Sequence, residues 1–361
     1  MTADQLLDPS PEANAADPLP VMIDLSGSVL QVGVVALGAR LALLRAPDRR
    51  GTYGDVVLGL DAAAYREDHT YLGATVGRYA NRIAGGTFSL DGRRYHVPCN
   101  EEGAALHGGP GGFDRQVFAA EPVVVDADGS RSVTLRRTSP VGENGFPGTL
   151  EVAVTYRVRG AEVHIDHTAT TDAPTVVNLT NHAYFNLTGH GGTVEDHRLQ
   201  IPAGHYLPVD GRLIPTGAPA AVEGTPFDLR SPLPLGRHLR SAHPQLTLAR
   251  GYDHTLVLER AAGGLAIAAH VEEPESGRTL TVLTDQPGVQ LYSGNFLDGT
   301  TVLRDGTVAR QGDAFCLEPQ HFPNSPNEPR FPTTVLRPRQ RYRSRIVFRL
   351  GQTNPAGPGT G

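Results

Sequence analysis

Val152-Ala153-Val154-Thr155-Tyr156-Arg157-Val158 places its bulky apolar and aromatic side chains at every second position. Successive side chains of a strand point to opposite faces, so this rhythm predicts a strand with one face buried. The same period runs through the segments around Val163 to Asp166, Leu199 to Ile201, Leu265 to Ala269, Val289 to Tyr292 and Ile346 to Leu350. All are expected to line pleated, half-buried surfaces. Asp91-Gly92, set between Thr87-Phe88-Ser89-Leu90 and Arg93-Arg94-Tyr95-His96-Val97, predicts a two-residue hairpin, because both turn positions tolerate positive φ. Asp128-Gly129 plays a similar part between Val123–Val125 and Val133–Leu135. Gly 42 and Pro 29 together are about a fifth of the 361 residues, against an average usage of roughly 12%. No segment keeps a helical period beyond about twelve residues, the length that marks an amphipathic helix. The expected fold class is all-β: a large antiparallel β-sandwich with few short helices, its Pro- and Gly-rich loops carrying function at one face.

Composition narrows the function. Hydrophobic residues make up 39% and charged residues 19%, the balance of a globular protein. A net charge of −6 gives no reason to expect nucleic acid or an anionic membrane as partner. All 32 basic residues are Arg, which removes Schiff-base chemistry, pyridoxal-phosphate enzymes and the Walker A lysine. Cys99 and Cys316 stand far apart with no partner at metal-knuckle spacing, and are expected as reduced, mostly buried thiols. The stretch from Val21 to Leu44 is broken by Asp24, Gln31, Arg40 and three glycines, which suits short strands rather than a membrane span. Residues 1–20 are expected as a disordered segment without a leader pattern, residues 21–350 as one catalytic domain and 351–361 as a flexible tail, in a cytoplasmic protein.

Four clusters mix His, carboxylate, Asn, Arg and aromatic residues beyond what turns require. Gly77-Arg78-Tyr79-Ala80-Asn81-Arg82-Ile83 offers amide and guanidinium donors together, suited to the oxygens of a polar ligand or to a plain surface Arg pair. Leu106-His107-Gly108-Gly109-Pro110-Gly111-Gly112-Phe113-Asp114 sets a His before a glycine-rich turn, without a phosphate-loop pattern. His107 is either a ligand contact or an imidazole fixing its loop. In Asn178-Leu179-Thr180-Asn181-His182-Ala183-Tyr184-Phe185-Asn186-Leu187, His182 is crowded by hydrogen-bonding residues and can carry a proton near neutral pH. Glu318, within Phe315-Cys316-Leu317-Glu318-Pro319-Gln320-His321-Phe322, sits among apolar neighbours dry enough to raise its pKa toward that of a general base, unless it is a salt-bridged strand end. Asp253 and Gln290 are candidate hydroxyl binders.

Together GRYANRIAGG, LHGGPGGFD, NLTNHAYFNL, GYDH, PGVQLYSGNF and FCLEPQHFPNSPN, in this order, resemble the aldose 1-epimerase (galactose mutarotase) family over roughly residues 25 to 350. The resemblance implies a galactose mutarotase-like sandwich and an isomerase that interconverts α and β anomers of free aldohexoses such as galactose and glucose. It implies His182 as general acid and Glu318 as general base, with Asn81, Arg82, His107, Tyr184, Asp253 and Gln290 holding the sugar. Neither a metal nor an organic cofactor is implied, and the small-molecule aldose is the expected partner of a monomer or homodimer. In these roles, the acid limb of a pH profile is expected to report Glu318 and the alkaline limb His182. Phe118 stands where the family commonly has Trp, which touches either packing or sugar preference. The rival functions are a glycoside hydrolase pairing Glu318 with Asp253, a hexose-phosphate 1-epimerase with added basic residues, and a non-catalytic sugar binder on the same fold.

Overall fold

A computed structural model describes residues 22–259 and 264–353; the expectations for residues 1–20 and for 354–361 lie outside them. Among the described residues, a ten-stranded antiparallel sheet has Arg131–Ser139, Leu150–Arg159, Glu162–Thr171, Tyr342–Gln352, Arg278–Thr284 and Ala266–Glu272 side by side in that order. Leu150, Val152, Val154, Tyr156 and Val158 all point inward from one strand, as its period requires. The last strand runs to Gln352, two residues past the expected boundary, and the Thr353 N–H donates to the Gly277 carbonyl at 2.8 Å.

A six-stranded sheet, ordered Tyr184–Phe185, Phe315–Gln320, Gly288–Tyr292, Asp253–Val257, His205–Tyr206 and Ala220–Ala221, packs against the first. Phe185 meets Phe348 of the ten-stranded sheet edge to face, with ring centroids 5.0 Å apart, inside one continuous apolar core. Here the half-buried expectation for Val289 to Tyr292 needs correction. Val289 and Leu291 face the core, while on the other face Gly288 lies against Phe322, Gln290 is bonded to Asp253 and Tyr292 lines a cleft, so every residue of Gly288–Tyr292 is buried. The same is true of Phe315–Gln320.

Asp91 and Gly92 turn the Thr87–Leu90 and Arg93–His96 hairpin with φ of 49° and 77°, as their residue types foretold. One α-helix, Pro244–Ala249, occurs among the described residues, and no helix there is long and apolar enough to cross a membrane. Cys316 is buried, but Cys99 is exposed, contrary to expectation: it lies beside the surface turn at Asn100 rather than in a strand facing the core. Phe118 is buried against Phe113, ring centroids 5.9 Å apart, and is not among the residues that line the cleft.

Burial holds His167, His182 and His197 down to about 4 and His254 to about 3, so they fold neutral. An unfolded imidazole titrates near 6.5, so below that pH the unfolded chain binds more protons and stability falls as pH drops. His107, also held down by burial, acts in the same sense, while Asp55, raised to about 6, and Asp114 and Glu318, raised likewise by burial, work in the opposite direction, three carboxyls against five imidazoles. Calorimetry should therefore show a Tm several degrees lower at pH 5 than at pH 7.5. Replacing His167, whose two ring nitrogens have no hydrogen-bond partner, by Leu should flatten that dependence; an equal slope in His167→Leu would contradict the assignment.

Candidate active site

The cleft encloses about 290 Å³ on the outer face of the six-stranded sheet. On the Phe315–Gln320 strand, alternation sends Phe315 and Leu317 into the core and Cys316 and Glu318 toward the cleft. His182 arrives from a neighbouring segment that is tied to the Asp68–Ala74 loop: its N–H donates to the Ala74 carbonyl at 2.8 Å, and its carbonyl accepts from the Gly73 N–H at 3.0 Å. Gly73 is required there, since at φ 66° a Cβ would stand 2.0 Å from the Leu41 carbonyl oxygen. The result brings His182 Nε2 to 3.7 Å from Glu318 Oε1. His182 Nδ1 lies 3.6 Å from Cys316 Sγ.

Asn81 and His107 lock together. The Asn81 N–H donates to His107 Nδ1, and the His107 N–H donates to the Asn81 carbonyl, each at 3.1 Å. Both residues have positive φ, 63° and 50°, which costs energy at non-glycine positions and persists only where surrounding bonds impose it. Because Nδ1 accepts, the neutral ring carries its proton on Nε2 and is a donor there. The ligand-type atoms of His107, His182 and Glu318 all lie within 4.8 Å of one another. With His107 presenting a proton rather than a lone pair, this trio is arranged for a hydroxyl group rather than a cation. His107 is thus at once a loop-fixing imidazole and a cleft residue.

Arg82 donates through Nε and Nη2 to the two oxygens of Glu101, at 2.7 and 3.1 Å, and through Nη1 to Asp253 Oδ2 at 3.4 Å. Gln290 donates from Nε2 to Asp253 Oδ1 at 2.7 Å and accepts from the Thr255 hydroxyl at 2.5 Å. Asp253 lines the cleft, and Gln290 stands behind it in hydrogen-bond contact with Asp253. The Tyr184 hydroxyl donates to the Thr70 carbonyl at 2.9 Å, and its ring lies nearly parallel to His182, centroids 5.0 Å apart. Glu101, Thr70 and Tyr71 escaped the sequence reading. The one signal for Thr70 and Tyr71 was the polar run Asp68-His69-Thr70-Tyr71 shortly before the Arg-Tyr-Ala-Asn-Arg motif, and for Glu101 the polar run Asn100-Glu101-Glu102 before His107.

Burial pushes the Glu318 carboxyl well up, the Asp253 charge adds to this, and Arg82 opposes both. Burial also holds His182 down to about 4. Both directions favour the neutral forms, a protonated carboxyl beside an imidazole without a second ring proton, as expected in a dry site.

A β-sandwich with such a cleft, in which an imidazole and a carboxyl approach to 3.7 Å among groups that suit hydroxyls, fits the class of acid/base enzymes acting on sugars. Comparison narrows the class. The Aldose 1-epimerase family model matches residues 22–349. The galactose mutarotases of Rattus norvegicus and Homo sapiens are each 44% identical over 328 residues, covering 90% of this chain and 92% of theirs. The aldose 1-epimerase of Escherichia coli K12 is 37% identical over 317 residues, covering 87% of this chain and 90% of its own. An aldose epimerase homologue from C. elegans superposes with TM-score 0.82 at 31% identity, over 93% of this chain and 100% of the other. The chain belongs to the aldose 1-epimerase family, and it is an isomerase that interconverts aldose anomers.

Arg82→Ala and Asp253→Ala each break a buried ion pair and remove a cleft group. Steady-state polarimetry should show kcat/KM lowered by about 10–100-fold with KM raised, while wild-type kinetics in both variants would displace the sugar from this cleft.

Proposed function

We propose that His182 and Glu318 open and reclose the pyranose ring of a free aldohexose such as galactose or glucose, with Asn81, Arg82, His107 and Asp253 holding its hydroxyls. The observation that carries this is the 3.7 Å approach of His182 Nε2 to Glu318 Oε1 at the floor of the cleft. Ring opening needs the C1 hydroxyl to lose a proton while the ring oxygen gains one. Glu318 takes the first and His182 supplies the second as the bond from C1 to the ring oxygen breaks, so no free alkoxide forms. The aldehyde then turns about the C1–C2 bond, and the two groups reverse roles: His182 recovers the proton from the C5 hydroxyl and Glu318 returns one to the oxygen on C1. Tyr184 supports His182 through its ring, and Gln290 supports Asp253.

Burial favours the proton distribution that ring opening leaves behind: carboxyl protonated, imidazole neutral. The distribution that starts the reaction holds the same single proton. The pair's total protonation, rather than its split, therefore sets the pH window. This reverses the limbs expected from ordinary pKa values. Falling pH adds a second proton at His182, and rising pH removes the only one from Glu318.

The rival readings lose support from the same geometry. Asp253 is committed to Arg82 and Gln290, which leaves it poorly placed as a hydrolase's second carboxyl. Among the described residues lining the cleft, Arg82 is the one guanidinium, and Glu101 and Asp253 already face it, so a phosphate has no added basic group. All the groups named come from one copy within residues 22–353, so a monomer suffices. Unpaired Cys99 and Cys316 suit a reducing compartment such as the cytoplasm.

Polarimetry of fresh α-D-galactose and α-D-glucose should show the protein hastening the approach to anomeric equilibrium, also after exhaustive chelation; traces matching buffer for both sugars would sink the reading. Glu318→Gln and His182→Asn should each lose roughly 10²–10⁴-fold in kcat, with the double variant far less than additively impaired. For the wild type, kcat/KM should follow a bell whose acid limb lies near pH 4 and whose alkaline limb lies well above the usual carboxylate range. An acid limb near 6.5 would show a His182 open to water.

A further inference from the structure

Tyr71 has a bulky side chain on a left-handed backbone, φ 61°, and lines the cleft. Such a conformation is costly for a residue with a bulky side chain and survives only where neighbours impose it. Here they do. Asp68 Oδ1 accepts from the Thr70 N–H at 2.8 Å and the Thr70 hydroxyl at 2.6 Å. Asp68 Oδ2 accepts from the Leu72 N–H at 3.1 Å and from Arg40 Nη1 at 2.7 Å, in an ion pair whose two side chains are fully buried. Arg40 further donates to the Leu72 carbonyl at 2.8 Å and the Asp114 carbonyl at 3.1 Å, and its guanidinium lies 4.9 Å from the centre of the Tyr65 ring. The loop so braced is bonded to His182 through Gly73 and Ala74, and to the Tyr184 hydroxyl through Thr70.

Its aromatic ring is thereby set against both cleft imidazoles. The Tyr71 centroid is 5.9 Å from that of His182, with the planes 29° apart, and 4.7 Å from that of His107, edge to face. We propose that Tyr71, held by the Arg40–Asp68 pair, is a positioning residue for ring opening: its ring aligns His182 and His107 and keeps water from the proton-transferring imidazole. This rests on the acid role given to His182 above. The ring, not the hydroxyl, carries the function.

Groups from several other elements also face His182, and of these only His107 touches the Tyr71 ring. Glu318 and Cys316 face it from the strand floor, His107 from its loop, and Tyr184 and Tyr292 from beside it. Asp253 and the Arg40–Asp68 pair stand farther back. Burial is the main cause of the depressed His182 pKa, so admitting water should raise it.

The decisive comparison is among full-length Tyr71→Phe, Tyr71→Leu and Tyr71→Gly, followed by polarimetry from pH 3.5 to 9 and by thermal melting. Tyr71→Phe should keep kcat within about threefold of wild type. Tyr71→Gly, which relieves the backbone strain while deleting the ring, should lose about 10–100-fold in kcat, change KM by less than about threefold, and move the acid limb upward by at least about half a pH unit. A Tyr71→Gly enzyme with wild-type kcat, or one whose whole loss lies in KM, overturns the proposal. If Tyr71→Gly does not fold, Tyr71→Leu, which keeps the buried bulk, decides by the same readings. An inactive wild type would instead overturn the acid/base reading on which this one stands.

Discussion

Glu318 stands on a strand whose two faces are both buried, and the rest of the site depends on that arrangement. Phe315 and Leu317 are packed into the core between the sheets, so their neighbours Cys316 and Glu318 are forced to the opposite face at a fixed height and spacing. A carboxyl mounted in this way has little freedom to move away from a neighbouring imidazole. The core's close packing is transmitted directly to the 3.7 Å distance between His182 Nε2 and Glu318 Oε1.

Electrostatics then follows from dryness. A charged carboxylate and a charged imidazolium are each costly in such a cleft, so burial favours the neutral form of both Glu318 and His182. For an isomerase that must run the same step forward and backward, a pair whose two arrangements hold the same proton is well suited. The cost of separating the charges is met only when hydroxyl and ring oxygens are present to receive them.

Around this pair the polar residues are fixed before any sugar arrives. Arg82 is braced by Glu101 and Asp253, Asp253 by Gln290, and Gln290 by Thr255. Asn81 and His107 hold each other in left-handed conformations. The Asp68–Ala74 loop, anchored on a buried ion pair, is bonded to the backbone of His182. Orientation bought in this way during folding is not lost again on each turnover.

Strand periodicity and turn chemistry are local properties, and they were readable along the chain. The inward set Leu150, Val152, Val154, Tyr156 and Val158, the Asp91-Gly92 hairpin and the scarcity of helix all follow from residue type and spacing. The six ordered motifs also pointed to His182 and Glu318 and to the sugar-type polar residues. Which of these groups meet, and what occupies their remaining valences, depends on packing between segments far apart in sequence. Nothing local shows that Gln290 is spent on Asp253 and Thr255, that Tyr184 gives its hydroxyl to Thr70, or that Tyr71 stands against two imidazoles. Burial of both faces of Gly288–Tyr292 came from the cleft and from Phe322 and Asp253 on the outer side of the sheet, and an alternating pattern cannot distinguish such a covered face from a solvated one. The proton's preferred seat was likewise decided by tertiary structure alone, because a pKa is set by the dielectric and the charges assembled around a group, not by its neighbours along the chain.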